Sequence, residues 1–320
     1  MDDFRPVAWL PGRHLQSIVP SFWPAPAIGG EDESRIVRVA EGAAVRVHAA
    51  RPRGHARGTL LLVHGMGGSA ESSYMRWTAR MALARGWIAV RMNCRNCGGT
   101  EALSNTLYNA GQSDDIGRVL HDLERAGFPR PFVAAGFSLG GALVLSYAGR
   151  ADRSSAADAI AAVNPPIDLE ACCRALERPR NTLYHAHFTL SLCRLLRRIR
   201  RARPADGPAP AFRTIRTLRR FDTRFTAPDA GYSSAEEYYA GASAAPDLGR
   251  VAVPALVLSS ANDPLVPMEM FAAHVPTGPS PLRFLFTRAG GHLGYWQPGE
   301  LRPWGSVAVL RFFDEALRAR

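Results

Sequence analysis

Apolar residues change their spacing along the chain, and each kind of spacing predicts a different element. Residues 34–39 and 44–49 alternate between apolar and polar positions, which is typical of a hairpin of half-buried strands. Runs that are apolar at almost every position predict strands buried on both faces. These runs lie at residues 59–63, 87–92, 132–135, 159–163, 255–259 and 282–286.

Apolar residues three and four positions apart predict amphipathic helices between these strands. We expect such helices over residues 72–85, 113–126 and 306–317. Strands that alternate with helices favour a mostly parallel central sheet flanked by helices on both faces. The predicted fold class is therefore α/β.

The segment between residues 163 and 255 contains no run typical of a buried strand. A long basic helix is expected over residues 183–201, followed by a Pro- and Gly-rich loop at 204–210 and two further helical patches. Because so long an insertion in a sheet is usually functional, we expect a helical cap over the carboxyl edge of the sheet. The predicted organisation is a core of residues 1–165 and 251–320 with a cap of residues 166–250.

The composition supports a large folded core and concentrates the charge in one place. Of 320 residues, 47% are hydrophobic and 21% are charged, which excludes global disorder. The net charge of +11 suggests nucleic acid or an anionic membrane as a partner. However, the chain has no lysine, and residues 174–224 alone hold 14 arginines against three acids. The basic character belongs to the cap, which lacks a nucleic-acid-binding motif, so no nucleic-acid partner is expected.

Cysteine usage and the N-terminus predict a soluble, cytoplasmic protein. Five irregularly spaced cysteines indicate no disulfide framework and favour a reducing compartment. Asp2 and Asp3 stand where a signal peptide would need positive charge. Residues 131–149 are uncharged, but their proline, paired glycines and serine favour a strand, a turn and a buried helix over a transmembrane span.

The strongest chemical signal is the sequence Gly136-Phe137-Ser138-Leu139-Gly140. It follows a predicted buried strand and precedes a predicted helix, which is the setting of a nucleophile elbow. There a sharp turn exposes the serine, and the glycines let strand and helix approach closely. The alternative is a Gly-rich turn whose serine only caps the helix.

A serine nucleophile needs a base, and the base needs an acid that orients it. Asp263 follows the predicted strand at 255–259 and His292 follows the one at 282–286, in the order serine, acid, histidine. Taken singly, Asp263 could be a turn residue and His292 a packed loop histidine. Asp229 and Glu236 in the cap are alternative candidates for the acid.

Acyl transfer also needs two backbone N–H groups that bind the oxyanion of the intermediate. We assign these to Leu139, directly after the serine, and to Met66 in the Gly-rich loop after the strand at 59–63. That loop could instead be a simple connection. A phosphate-binding loop is not expected, because the lysine of a P-loop and a GxGxxG pattern are both missing.

Cys94 and Cys97 form a CxxC pattern in a loop after the strand at 87–92. A zinc site would need two further ligands at suitable spacing, and the sequence shows none. We interpret the pattern as a plain loop, and we predict neither a metal ion nor a cofactor.

Several motifs together resemble the YheT-like esterases of the α/β-hydrolase superfamily, and the resemblance covers nearly the whole chain. They are His14-Leu15-Gln16-Ser17, residues 64–68, 93–99 and 107–111, the Ser138 motif, Phe221-Asp222 and Tyr238-Tyr239. The chain departs from the family pattern at Ser17, usually threonine, and at Asn109-Ala110, usually His-Ser. The resemblance implies an α/β-hydrolase fold, the triad Ser138, Asp263 and His292, and hydrolysis of carboxylic esters.

The predicted function is that of a serine esterase that acts through an acyl-enzyme on short- or medium-chain or lipid-like esters. Two alternatives stay open: an acyltransferase that uses the same triad, and a non-catalytic membrane- or lipid-binding module. The predicted helix at 183–201 carries an apolar stripe on one face and arginines on another. The simpler interpretation is that the arginines form a solvated face of the helix, and the alternative is that they make peripheral contact with an anionic membrane.

Overall fold

A single mixed sheet forms the centre of the molecule. The computed structural model describes residues 4–29, 32–150, 157–206, 212–299 and 302–318. Within these residues the sheet has eight strands, in the spatial order β1-β2-β4-β3-β5-β6-β7-β8. The strands are β1 (Asp32–Ala40), β2 (Ala43–Ala50), β3 (Gly58–Val63), β4 (Trp87–Asn93), β5 (Phe132–Phe137), β6 (Ala159–Val163), β7 (Ala255–Ser260) and β8 (Leu282–Thr287).

The two kinds of apolar pattern form the two parts of this sheet. The alternating segments β1 and β2 pair antiparallel, and β2 pairs antiparallel with β4. From β4 to β8 the neighbouring strands are parallel. The mostly apolar strands β3, β4, β5, β6 and β7 are buried along their whole length, as parallel strands between two helical layers must be.

Helices cover both faces of the sheet. In chain order they are α1 (Gly12–Phe22), α2 (Ser73–Leu83), α3 (Asp114–Arg125), α4 (Leu139–Arg150), α5 (Leu169–Glu177), α6 (Thr182–Ala202), α7 (Leu218–Phe221), α8 (Ala227–Asp229), α9 (Ala235–Ala242) and α10 (Trp304–Arg318). Leu60 and Leu62 of β3 pack in one apolar core with α2 and α10. Leu61 and Val63, which point the other way, pack in a second core with α3 and α4. The predicted α/β-hydrolase fold class, with a mostly parallel sheet between helices, is confirmed.

The long helix α6 and the shorter helices α5, α7, α8 and α9 occupy the segment between β6 and β7 where a cap is predicted. The apolar stripe of α6 is buried in the same core as the α3 and α4 face of the sheet, through Leu192, Leu195, Leu196 and Ile199. Residues 204–206 of the predicted loop form one short helical turn, and residues 207–210 lie outside the described residues. The division into core and cap stays a prediction. Among the described helices, none combines the length and apolar character needed to cross a bilayer.

Candidate active site

The structure brings Ser138, His292 and Asp263 together at the carboxyl edge of the sheet. They follow β5, β8 and β7 respectively, and the carboxyl ends of parallel strands share one edge. His292 Nε2 lies 2.9 Å from Ser138 Oγ, and His292 Nδ1 lies 2.8 Å from Asp263 Oδ2. The three side chains therefore form one continuous hydrogen-bonded chain, in the geometry that a nucleophile, a base and an orienting acid require.

Ser138 sits on a sharp turn between β5 and α4. Its φ angle is 51°, in the left-handed region that costs an ordinary residue energy, and its N–H donates to Val163 O at 2.8 Å. A Cβ atom on Gly136 would overlap the backbone of Gly140, and one on Gly140 would overlap the carbonyl oxygen of Val63. The two glycines therefore let the strand and the helix approach closely enough to hold this turn.

The Asp263 carboxylate is fully enclosed and oriented by donors on both oxygens. Oδ1 accepts hydrogen bonds from the N–H groups of Leu265 at 2.8 Å and Val266 at 3.1 Å. Oδ2 faces His292, and no part of the Asp263 side chain is exposed to solvent. The alternative acids lie elsewhere: Asp229 accepts from the N–H of residue 107, and Glu236 pairs with an arginine.

Asn164 is a site residue that the sequence reasoning missed. It follows β6 with a φ of 48°, and its Nδ2 donates to Asp263 Oδ2 at 2.6 Å. Tyr295 OH in turn donates to Asn164 Oδ1 at 2.8 Å. Burial raises the pKa of Tyr295, so its hydroxyl keeps the proton that it donates. No local pattern marks Asn164, because its partners lie on other strands.

Helix α1 supports the loops that carry the acid and the histidine. The His292 N–H donates to Ser17 Oγ at 2.8 Å. Gln16 Oε1 accepts from Asn262 Nδ2 and from the Gly290 N–H, each at 3.0 Å. The motif at residues 14–17 singled out this segment in the sequence, but the helix itself was not predicted. Its side chains tie the two loops together.

The loop after β3 lies directly against Ser138. A Cβ atom on Gly65 would lie 2.9 Å from Ser138 Cβ, so only glycine allows this approach. Burial lowers the pKa of His64 to about 4. The neutral ring accepts from the Cys94 N–H at 3.1 Å and so ties this loop to the one after β4.

The two assigned oxyanion donors flank the serine. Leu139 is the first residue of α4, where helix geometry leaves the N–H without an intrahelical partner. Met66 lines the same cavities as Ser138. Within the described ranges of the chain, neither the Met66 nor the Leu139 N–H donates to a backbone or side-chain acceptor. Both are free to bind an oxyanion.

Two cavities meet at Ser138 and His292. The larger, here called the outer cavity, measures about 400 Å³ and has Phe22 and Leu183 on its rim, 81% and 79% exposed. The smaller, here called the inner cavity, measures about 100 Å³ and is lined in part by residues of α5, α6, α7 and α9. Met66 belongs to the walls of both. The site therefore offers separate room for the two parts of an ester.

The CxxC loop is buried and its thiols are inert. Burial raises the pKa of Cys97 to about 12 and that of Cys94 well above its ordinary value. Both therefore stay protonated, which disfavours nucleophilic or redox chemistry. Across the described ranges, no three His, Cys, Asp or Glu side chains are grouped as metal ligands.

Comparisons with known proteins agree with this fold. The sequence model of one family, described as "alpha/beta hydrolase fold", matches residues 58–298. The putative esterase YheT of Escherichia coli (strain K12) is 30% identical over 238 residues, which cover 74% of this chain and 70% of that protein. The human phospholipase ABHD3 is 28% identical over 264 residues, which cover 82% of this chain and 64% of the human protein.

Solved structures show the same fold at low sequence identity. The Pyrococcus furiosus esterase Pf2001 superimposes with a TM-score of 0.61 at 14% identity, covering 92% of this chain and 99% of that one. The names of the relatives support a hydrolase that acts on esters. By the family match and the identity to its bacterial relative, this chain belongs to the α/β-hydrolase family, among the YheT-like esterases.

Proposed function

We propose that the protein hydrolyses carboxylic esters through a covalent acyl-enzyme formed on Ser138. The observation that carries this proposal is the unbroken hydrogen-bonded chain from Asp263 through His292 to Ser138. The elbow supports it, because the left-handed turn presents the Ser138 hydroxyl to both cavities. The relative named as a phospholipase favours lipid-like esters among the substrates.

In the first half-reaction Ser138 Oγ attacks the ester carbonyl carbon while His292 Nε2 takes the hydroxyl proton. The carbonyl electron pair moves onto oxygen, and the N–H groups of Met66 and Leu139 stabilise that oxyanion. The intermediate collapses, the bond to the alcohol oxygen breaks, and His292 returns the proton to the departing alcohol. Asp263 holds the imidazole in the required orientation throughout.

In the second half-reaction water takes the place of the alcohol. His292 removes a proton from the water as its oxygen attacks the acyl carbon, and the same two N–H groups again bind the oxyanion. Collapse breaks the bond to Ser138 Oγ, which regains its proton from His292. The products are the carboxylic acid and the free enzyme.

Ester hydrolysis by the purified protein and by Ser138→Ala tests this proposal. We expect turnover of an activated ester by the wild type and a loss of about 10⁴- to 10⁶-fold in kcat for Ser138→Ala. Ser146→Ala is a matched control on the same helix, since its buried hydroxyl has no partner among the described residues. Full activity of Ser138→Ala with an unchanged circular dichroism spectrum would refute the proposal, whereas a folded wild type that hydrolyses no ester would favour a non-catalytic module.

Acyl transfer is a second candidate because the outer cavity can hold an acceptor alcohol next to Ser138. An alcohol that replaces water in the second half-reaction would yield a new ester. Product analysis with increasing concentrations of a short alcohol distinguishes the two activities. A new ester in place of free acid at constant total turnover supports transfer, and free acid alone supports hydrolysis.

We propose further that the protein contacts anionic membrane surfaces through one face of α6, here called the outer stripe. Its exposed residues recur every three or four positions and so share one face of the helix. They are Leu183, His187, Leu190, Arg194, Arg197 and Arg201. The apolar half adjoins the rim of the outer cavity, and the basic half continues along the same face.

The charges of the outer stripe are available to a partner. Within the described part of the chain, Arg194 and Arg201 make no ion pair, and Arg197 lies over the ring of Phe212 at 4.6 Å. Leu183 is 79% exposed and Phe22 is 81% exposed. Both line the outer cavity, so they form an apolar patch and are not isolated surface residues. A bilayer with anionic lipids would cover the apolar rim and attract the arginines together.

Sedimentation with vesicles tests this contact. We expect binding to vesicles that contain phosphatidylglycerol and much weaker binding to pure phosphatidylcholine, with binding lost at high salt. Because each surface arginine contributes about 1 kcal/mol, Arg194→Ala with Arg201→Ala should weaken binding about 30-fold. Arg311→Ala with Arg318→Ala, both at exposed positions of α10, is the charge-matched control. If the α6 variant and its control bind the anionic vesicles equally well, or if the protein binds neither type of vesicle, the contact is refuted.

We also propose that the protein acts in the cytoplasm. All five cysteines are buried and unbonded, which suits a reducing compartment. Fractionation of the source cells tests this, and recovery in an oxidising compartment would contradict it.

A further inference from the structure

We infer that the inner cavity takes the acyl group of the ester and limits it to a short alkyl chain, while the outer cavity takes the alcohol part. This inference rests on the proposed esterase function. Both cavities adjoin Ser138, His292 and Met66, but they differ in volume and in the other residues that line them. Each difference favours the same assignment.

The direction of proton transfer places the alcohol in the outer cavity. The alcohol oxygen must receive its proton from His292 Nε2, so it departs on the histidine side of Ser138. The outer cavity includes Ser17, which accepts the His292 N–H, and Leu293, which follows the histidine. Two of its lining residues, Phe22 and Leu183, are largely exposed to solvent, so the alcohol can leave and water can enter along them while the acyl group stays bound.

The inner cavity adjoins both assigned oxyanion donors, Met66 and Leu139. Leu139, one of the two assigned oxyanion donors, lines the inner cavity and not the outer one. With the carbonyl oxygen held there and the alcohol on the histidine side, the remaining substituent of the acyl carbon points into the inner cavity. That space ends against the buried side chains of Leu176, Leu192 and Leu218.

The volume and the walls of the inner cavity fit a short alkyl chain. An apolar cavity of about 150 Å³ holds a benzene-sized molecule, so about 100 Å³ holds about four carbons. The polar groups in its wall are already paired: Tyr239 OH donates to Asp222 Oδ2 at 2.7 Å, and Asn109 Oδ1 accepts the Gly111 N–H at 2.8 Å. Because these groups have partners, the cavity favours an unsubstituted chain.

The preference of the enzyme for acyl-chain length tests the assignment. The measurement is kcat/KM with p-nitrophenyl esters from acetate to dodecanoate, which share one alcohol. We expect a maximum near butyrate or hexanoate and a fall of at least about tenfold at decanoate, because a longer chain has no room. Leu192→Ala should move the maximum towards longer chains by about three carbons, the number that the substitution removes.

Variants on other positions separate a change of the cavity from a loss of packing. Leu218→Ala, on α7, opens the same cavity from another element and should give the same shift if Leu192→Ala does not fold. Leu195→Ala is the matched control, because Leu195 is buried on α6 but lines neither cavity. It should keep the wild-type profile of chain length.

The outcomes distinguish this inference from the proposed function. Ser138-dependent activity that is highest on dodecanoate, or that Leu192→Ala and Leu218→Ala leave unchanged in profile, would overturn the assignment of the inner cavity alone. A wild type that hydrolyses none of the esters would overturn the esterase function and this inference with it. A maximum at short chains that both variants lengthen supports the inference.

Discussion

Asn164 donates a hydrogen bond of 2.6 Å to Asp263 Oδ2, the carboxylate oxygen that also faces the His292 ring. The two residues follow neighbouring strands, β6 and β7, so the sheet itself sets their spacing. Asn164 adopts a left-handed backbone conformation with a φ of 48°, a costly geometry for an ordinary residue. This strain is consistent with a role in orienting the acid.

Asn164→Ala should therefore lower activity without removing any group of the triad. Loss of the amide frees the carboxylate to turn, and a small displacement of a reacting group costs about 10²-fold in kcat. We expect that loss in kcat with little change in KM. Tyr295→Phe, which removes only the hydroxyl that supports Asn164, should cause a smaller loss. Steady-state kinetics of both variants check this, and wild-type kcat for Asn164→Ala would contradict it.

Ser17→Ala should weaken the placement of the histidine. The variant leaves the His292 N–H without its acceptor, and an unsatisfied buried donor costs about 1–3 kcal/mol. We expect kcat to fall by about tenfold through the loosened loop. Ser17→Thr keeps a hydroxyl and should keep most of the activity. A similar loss in Ser17→Thr and Ser17→Ala would show that the hydroxyl is not the cause.

Strand and helix lie so close at the elbow that replacing Gly140 or its neighbour Gly141 by alanine should lower the free energy of unfolding by different amounts. A Cβ atom at Gly140 meets the backbone oxygens of Val63 and His64, which cannot move without distorting β3. We expect Gly140→Ala to lower the free energy of unfolding by more than about 3 kcal/mol.

Gly141→Ala is the matched control for this clash. Its Cβ would have its nearest neighbours at 3.1 to 3.3 Å, which small shifts can accommodate. In a helix alanine also gains about 0.5–1 kcal/mol over glycine, so the net change should stay within about 1 kcal/mol. Urea denaturation compares the two variants, and equal losses would contradict the elbow argument.

The pKa of Asp222 predicts that the free energy of unfolding depends on pH. Burial raises its pKa to about 6, from an ordinary value of 3.8. Between these two values the folded state binds more protons than the unfolded state, so the contribution of Asp222 to stability falls as pH rises. A shift of about two pKa units corresponds to about 3 kcal/mol.

Comparison with Asp222→Asn isolates this effect, because the amide cannot ionise. From pH 4 to pH 7 the unfolding free energy of the wild type should fall by about 3 kcal/mol relative to the variant. Titration of His64, whose pKa is lowered to about 4, makes the unfolding free energy of both proteins rise over the same pH range. Only the difference between the two proteins therefore reports on Asp222. A constant difference between the two proteins across this range would contradict the prediction.

The sequence predicted the parts of the structure that depend on local pattern. Each mostly apolar run became a strand of the sheet, and five of the six are buried along their whole length between two apolar layers, whereas β8, at the edge, is only partly buried. Ser138, Asp263 and His292 could be found because Ser138 directly follows a strand and the other two lie in the loops just after strands. Their meeting at one edge of the sheet then follows from parallel pairing alone.

The supporting residues were missed because their partners are distant in sequence. Ser17 acts on His292 from a separate helix, and Asn164 acts on Asp263 across two strands. The motif at residues 14–17 drew attention to Ser17 but not to its partner, and Asn164 has no local signal in spacing or composition. The two cavities are likewise set by the packing of cap helices on the sheet, which one sequence does not specify.

Labelling with a fluorophosphonate probe tests the central claim, that Ser138 is a nucleophile activated by His292. The probe reacts with an activated serine, and mass spectrometry of the digested protein identifies the labelled residue. The account predicts a single label on Ser138, lost in Ser138→Ala and strongly slowed in His292→Ala. Labelling at another serine, or no labelling of a folded wild-type protein, would contradict it.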